Sequence, residues 1–504
     1  MSKVYLIGAG PGDEELITLK AIRILKKCTA ILYDRLASPS ILKYISDNCE
    51  IYYCGKEPGC HYKTQDEINE MLVLLAKAGH TVGRIKGGDP YVFGRGGEEA
   101  LSLLKENIEF ETIPGITSPI AVLNYAGIPI THRGVSQGFH VFTGKSAESL
   151  NIDWEAVAKL KETLVFLMGL ESLKSISEKL IDHGYDKSTP CAVVMKGSTS
   201  KQRGVIGRLE DIYIKVKEAG LKSPCIIVMG KVVELNNYLN WYGKKPLFGL
   251  NVCVTRSKEQ AGAFSEKLLE LGAEVTEINS IKIKNTCENL KPYTNNLPEY
   301  DYIVLTSVNG VNIFFDYLKD IEFDIRKLKA KFAAIGLATE KTIRSRGIVP
   351  EITCQEFVAE DLFNSLSKDV KPQDKILIPR SKNARAYLAD ALREKGCSID
   401  EVQSYEVIKG DLKNVETFKN CNVVSFTSPS TVRNLVDMVG VELIREKLCI
   451  AIGPITKKEL DKFNIDAMVA EEYTTDGIIE RLKLAKASRE TYKLNNIKVV
   501  KDNV

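Results

Sequence analysis

The chain has 504 residues, 44% hydrophobic and 27% charged, with 69 basic against 66 acidic side chains. That length exceeds one hydrophobic core and predicts several units of ~100–200 residues, while a net charge of only +3 excludes the basic bias of a nucleic-acid binder. No apolar run nears the ~20 residues of a membrane span, and the start, MSKVYLIGAGPGD, lacks a signal-peptide pattern.

Through the first 245 residues short β-branched runs alternate with amphipathic stretches. "KVYLIGAG", "TAILYDRL", "TVGRIKGGDP", "EFETIPGITS", "FHVFTGK", "ETLVFLMGL", "TPCAVVMKG" and "SPCIIVMGKVV" read as strands. "LITLKAIRILKKC", "QDEINEMLVLLAKAG" and "ESLKSISEKLIDHG" repeat apolar residues at three and four, the helical period. The pattern is α/β, with functional loops expected after the strands. Twelve scattered cysteines contain no C-x-x-C pair. Cys49, Cys54, Cys60 and His61 lack a usual ligand spacing. The expectation is a reduced, cytoplasmic protein without a metal.

Two glycine loops stand out. "GAGPGD" follows the first strand, and Asp34 ends the next, 26 residues after Gly8, which approaches a dinucleotide fingerprint. Pro11 nevertheless removes an N–H that a pyrophosphate would use, and Asp13 would repel one. "GGDPYVFGRGGEE" places five glycines in thirteen positions beside Asp89, Glu98 and Glu99. Acids at a glycine loop repel phosphate, so a cationic or neutral ligand such as S-adenosylmethionine fits better.

Near "NYLNWYGKKPLFGLNVCVTRS" a linker of Gly243, two lysines, Pro246 and Gly249 separates two halves. The second half carries an internal repeat. "NVCVTRSKEQAGAFSEKLLELGAEVTEI" matches "KILIPRSKNARAYLADALREKGCSIDEV", "YIVLTSVNGV" matches "VVSFTSPSTV", and "FAAIGLATEKTI" matches "CIAIGPITKKEL". Strands thus end in Arg-Ser (Arg256, Arg380), Thr-Ser (Thr306, Thr427) and Ile-Gly (Gly336, Gly453). Such ends offer N–H groups and hydroxyls to an anionic ligand, or simply cap the following helices. Residues 486–504 lack a clear apolar period and read as a tail.

"GAGPGD", "YDRL", "GGDPYVFGRGGEE", "PGITS", "GIPITHR", "LVFLMG" and "GSTSKQR" follow the order seen in uroporphyrinogen-III C-methyltransferases, which residues 1–245 resemble. Tyr91 stands where that family more often has phenylalanine. Residues 250–485 resemble uroporphyrinogen-III synthases. The fold implied is a two-subdomain α/β tetrapyrrole methylase, followed by a two-lobed, doubly wound parallel-sheet synthase. Its lobes would be about 250–283 plus 406–485, and 284–405.

The resemblance implies S-adenosylmethionine contacts at Pro11, Gly87, Gly88, Asp89, Val92, Thr117, Ser118, Met168, Ala192 and Gly197. Asp34 is the implied base and Lys56 the acid. Asp34 pairing with Arg35 or capping a loop, and Lys56 binding only a carboxylate, remain open. Arg95, His132, Arg133 and Arg203 are candidates for gripping substrate carboxylates. In the synthase half, which needs no cofactor, Tyr405 matches the residue suspected of assisting loss of water. Thr306, Ser307, Thr427, Ser428, Gly453, Thr456 and Arg256 are the expected substrate contacts. Partners are tetrapyrroles and, through the methylase half, a second copy of the chain. A methyltransferase acting on a later corrin intermediate, and a non-catalytic nucleotide-binding module, are the alternatives.

Overall fold

The computed structural model describes residues 3–46, 48–55, 63–144, 152–255, 258–278, 280–354, 359–382, 384, 386–410 and 415–501. The first sheet holds β1 (Lys3–Gly8), β2 (Ala30–Tyr33), β3 (Glu50–Tyr53), β4 (Thr81–Lys86) and β5 (Phe110–Ile113). Its order is β3-β2-β4-β1-β5 and every pairing is parallel. The chain leaves β1 toward one edge and β4 toward the other. The carboxyl ends of β1 and β4 therefore form a topological switch point, where open parallel sheets bind ligands.

The second sheet contains β6 (Phe139–Thr143), β7 (Thr163–Leu167), β8 (Pro190–Met195), β9 (Arg203–Arg208) and β10 (Cys225–Met229), ordered β6-β7-β10-β8-β9. Only β6 and β7 run parallel; the other pairings are antiparallel. All five residues of β7 are buried, so the strand reads as a continuous apolar run. After β10, Gly230 turns the chain at φ 142°, and Lys231–Leu235 form a 3-10 turn rather than prolonging the expected strand.

The C-terminal half builds two further sheets from β11 (Asn251–Val254), β12 (Glu274–Glu277), β13 (Ile281–Asn285), β14 (Tyr302–Leu305), β15 (Lys331–Ile335), β16 (Ile352–Cys354), β17 (Lys375–Ser381), β18 (Ser398–Lys409), β19 (Val423–Phe426), β20 (Leu448–Ala451) and β21 (Ala467–Val469). One sheet runs β12-β11-β19-β20-β21, the other β13-β18-β17-β14-β15-β16. Strands β13 and β18 pair antiparallel and link the two sheets through one ladder. Each sheet again has a switch point, between β11 and β19 and between β14 and β17. Residues Thr475–Lys501 form one helix through the stretch expected as a tail, and Ala485 is its last buried residue among the described side chains. Among the described residues, no helix is long and apolar enough to cross a membrane.

Candidate functional site

At the first switch point three strand ends converge on glycine. A Cβ on Gly115 would lie 2.3 Å from the Gly88 carbonyl oxygen, and one on Gly8 would lie 2.5 Å from the Gly115 nitrogen. Gly88, at φ +71°, exchanges main-chain hydrogen bonds with Gly10 (3.2 and 2.7 Å). The first loop therefore spends its own N–H groups: Gly10 on Gly88, and Asp13 on Ser198 Oγ at 3.3 Å. A pyrophosphate cradle needs those groups free. Asp13 caps the 3-10 turn Glu14–Leu16 through the Glu15 N–H and accepts from Tyr125 Oη at 2.7 Å.

The second glycine stretch is not all loop. Its last residues open the helix Gly96–Lys105, which corrects the picture of three acids facing a ligand. Glu98 is exposed and paired with Arg95 at 2.6 Å. The Asp89 carboxylate accepts from the Tyr91 and Gly115 N–H groups at 2.8 and 3.0 Å. Glu99 is fully buried, and its Oε1 accepts from Arg84 Nε (3.1 Å), Lys86 Nζ (2.8 Å) and Gln65 Nε2 (3.3 Å). Arg84 also donates through Nη2 to Asp34 Oδ2 at 3.0 Å, and the Leu36 N–H holds Asp34 Oδ1 at 3.0 Å. Asp34 is thus fixed by Arg84, not by Arg35. Burial, then the Arg84 charge, lowers the Lys86 pKa. Burial opposes the charge of Arg84, but Glu99 and Asp34 outweigh it and raise its pKa.

Pro11, Asp34, Gly87, Gly88, Val92, Arg95, Ser118, Met168 and Gly197 line one cavity of about 1770 Å³. Phe93, Arg95, Met168 and Lys196 on that wall all hold positive φ (53°, 58°, 54° and 47°), a costly conformation for side-chain-bearing residues. Such strain concentrates at ligand sites, and Met168 is half exposed on the cavity wall rather than packed in a core. Thr117 caps the helix Ser118–Tyr125 beside the wall. Ala192, by contrast, is buried in the core of the second sheet and does not line the cavity. His132 and Arg133 lie on an exposed turn, and Arg203 donates to the Ala219 carbonyl at 2.9 Å. The structure brings none of these three to the cavity. Lys56, Cys60, His61 and Arg256 lie outside the described residues. Among the described residues, no cluster of His, Cys, Asp or Glu could hold a metal ion.

In the second half, the matching Thr-Ser ends of β14 and β19 adopt nearly the same geometry. Ser307 (φ −162°, ψ 156°) and Ser428 (φ −163°, ψ 160°) each cap the following helix, through Gly310 and Thr431. Thr306 and Thr427 are half-buried beside them. Ser307 Oγ also lies 2.7 Å from Tyr405 Oη, on the β18 ladder. Burial raises the Tyr405 pKa, and the Ser307 contact offsets it only in part. Gly453 caps the helix Pro454–Asp461 at an extended φ of −167°, and Thr456 is 3% exposed, turned into the fold. Arg380 is committed to Glu401 at 2.7 Å.

Sequence reading missed Arg84, Lys86 and Glu99. Their signal was two cations at i and i+2 in the buried strand "TVGRIK", which share one face and require a carboxylate.

Residues 3–213 match the model for tetrapyrrole (corrin/porphyrin) methylases, and residues 262–480 match that for uroporphyrinogen-III synthase HemD. A porphyrin biosynthesis protein HemD from Ruminiclostridium josui is 36% identical over 498 residues, spanning 95% of this chain and 97% of that one. A uroporphyrinogen-III C-methyltransferase from Bacillus subtilis is 40% identical over 349 residues, 69% of this chain and 72% of its own. A solved uroporphyrin-III C-methyl transferase from Thermus thermophilus, complexed with S-adenyl homocysteine, is 39% identical with a TM-score of 0.40, covering 46% of this chain and 94% of that one. With one glycine-built and two serine-capped switch points in one chain, and a relative matched nearly end to end, this protein belongs to the HemD porphyrin-biosynthesis family in which a tetrapyrrole methylase precedes a uroporphyrinogen-III synthase.

Proposed function

We propose that the C-terminal half closes hydroxymethylbilane to uroporphyrinogen III with inversion of ring D, and that the N-terminal half methylates this product twice, giving precorrin-2. The observation that carries the reading is Asp34, fixed by Arg84 and the Leu36 N–H. It faces the same cavity as Pro11, Gly87, Gly88, Met168 and Gly197. That wall suits S-adenosylmethionine: Gly88, which lines it, has nothing nearer than 3.7 Å to an added Cβ, and the Gly10 and Asp13 N–H groups that a pyrophosphate would use are already spent.

When bound, S-adenosylmethionine supplies an electrophilic methyl group on a positively charged sulfur. The residues contribute orientation and exclusion of water. Pro11, Gly87, Gly88, Val92, Ser118, Met168 and Gly197 would hold it, with Asp89 bracing the turn through the Gly115 N–H. Asp34 is oriented to take the proton that the tetrapyrrole loses once a pyrrole carbon has gained its methyl group. Arg95, which lines the cavity, would meet a substrate carboxylate by exchanging its Glu98 partner for it.

In the other half Tyr405 donates its proton to the hydroxyl leaving hydroxymethylbilane, so that a C–O bond breaks and water departs. Ser307 orients the phenol, and burial keeps it protonated at neutral pH. Tyr405→Phe should lower the synthase kcat on the order of 10- to 100-fold and leave methyl transfer to supplied uroporphyrinogen III unchanged. Because the Tyr405 pKa lies above the ordinary 10.0, ionisation of this group should not lower the wild-type synthase rate below that pH. A Tyr405→Phe rate equal to wild type would remove the residue from the reaction.

The decisive experiment incubates the purified chain with hydroxymethylbilane and labelled S-adenosylmethionine. Two labels per tetrapyrrole of the inverted series are expected, and an unlabelled or uninverted product overturns the reading. A cytoplasmic homodimer joined through the methylase half completes the proposal, and size-exclusion chromatography with light scattering tests the dimer.

A further inference from the structure

The two halves are not tethered by a loose linker. Leu247 and Leu250 are buried in the core of the sheet containing β11, together with Val252, Phe264 and Leu268. On the methylase side Tyr242 packs edge-on against Tyr125, Trp241 and Phe248, with centroids 4.7, 5.6 and 5.0 Å away. The loop that follows Gly197 is clamped across the boundary. Ser200 donates to Glu274 Oε2 from its N–H (3.2 Å) and its hydroxyl (2.6 Å), and Lys201 Nζ donates to Asn420 Oδ1 at 2.8 Å.

The methylase cavity continues past this clamp, and Thr276, Glu277, Ile281 and Lys282 of the synthase half form its far wall. Its volume of about 1770 Å³ exceeds the roughly 300–1,000 Å³ of ordinary small-molecule sites. Ile281 and Asn285 belong to the same strand, β13, and Asn285 pairs with Tyr405. Along β13 the cavity-lining Ile281 therefore stands four residues, about 13 Å at ~3.3 Å per residue, from the position paired with Tyr405, which does not itself line the cavity.

The charge of the wall suits a polyanion. Lys26, Arg35, Lys43, Lys196, Lys201 and Lys282 border it. The four lining carboxylates Glu14, Asp34, Glu274 and Glu277 already accept from Lys43 (2.7 Å), Arg84 (3.0 Å), Ser200 Oγ (2.6 Å) and Ser265 Oγ (2.7 Å), so Lys43 is paired and the other five cations carry the excess. A walled, electropositive volume concentrates an anionic intermediate and guides it.

We infer that the octacarboxylate cyclised by the synthase half passes to the methylase inside this shared chamber, without release to bulk solvent. The inference rests on the two activities proposed above. It is tested by supplying the full chain with labelled hydroxymethylbilane, S-adenosylmethionine and an approximately tenfold bulk excess of unlabelled uroporphyrinogen III. Free mixing would dilute the label in the methylated product about tenfold, whereas internal passage leaves it within about twofold of the starting value. Glu274→Arg places a cation against the Ser200 N–H and Lys201, and Asn420→Ala removes the second contact from an exposed turn. Each variant should keep both activities when they are measured separately, yet yield diluted product.

Full dilution in the wild type with both activities present overturns the passage alone. Undiluted product from both variants overturns the clamp's part in it, and the inference with it. Absence of either activity, assayed by itself, overturns the two-activity reading and therefore the passage too.

Discussion

Replacing Glu99 with alanine is expected to destabilise the methylase half selectively. Arg84 and Lys86 side chains are 4% and 6% exposed, and both donate to the same oxygen, Oε1, of the fully buried Glu99 carboxylate. Removing it strands Lys86 in a low dielectric and leaves Arg84 with Asp34 alone, a loss of about 3–5 kcal/mol for a broken buried pair. In a unit of this size that corresponds to a melting shift on the order of 10 °C.

The measurement is unusually clean, because both tryptophans of the chain, Trp154 and Trp241, lie in the first half. Tryptophan fluorescence therefore follows the methylase transition, while turnover of hydroxymethylbilane follows the synthase, which should persist. Glu98→Ala is the control next door: its carboxylate is 54% exposed and pairs with Arg95 on the helix surface, so its melting shift should be small. Equal shifts for the two variants would refute the cluster's structural importance. Asp34 loses its orientation with the cluster, so methyl transfer should fall even at temperatures where Glu99→Ala remains folded.

The central strands were legible because strands buried on two faces read as unbroken apolar runs, in the largely antiparallel second sheet as in the parallel ones. "TLVFL" and "CIIVM" are buried at every position. The strands that escaped are edges: β3, "EIYY", and β9, "RGVIGR", whose exposed charges and glycines blur any alternation. The helix Gly96–Lys105 was hidden by its own glycines, although Glu99, Ala100 and Leu103 keep a helical period on the buried face.

The repeat in the second half was visible as paired Thr-Ser and Ile-Gly endings. Nothing within the repeat tells that one sheet draws strands from both ends of that half, since β11 pairs with β19 across more than 160 residues. The same limit applies to the side chains. Ser307 and Tyr405 stand 98 positions apart, and Ser200 and Glu274 stand 74 apart. Local pattern carries no information about such meetings; only the folded sheets bring them together.

Gly115→Ala and Gly97→Ala should have opposite effects, though both glycines sit in the loops around the first switch point. At Gly115 the added methyl carbon meets backbone alone: the Gly88 oxygen at 2.3 Å and the Gly8 carbonyl carbon at 2.8 Å. No side chain can rotate away, so the ends of β1, β4 and β5 must spread. That spreading breaks the Asp89–Gly115 contact of 3.0 Å and strains the Gly10–Gly88 pairing. Overpacking of this kind costs roughly 1–3 kcal/mol, and displacing the turn by a fraction of an ångström to an ångström should weaken S-adenosylmethionine binding by on the order of 100-fold. Gly97 is exposed at the start of its helix, keeps an ordinary φ, and has nothing within 4 Å of an added Cβ. Alanine there should raise the methylase melting point, by up to about 1 kcal/mol of helix propensity, and leave binding unchanged. Calorimetric titration with S-adenosylmethionine, alongside tryptophan-detected melting, separates the two substitutions. Wild-type affinity in Gly115→Ala would mean that the glycine convergence is a packing device with no bearing on the cofactor site.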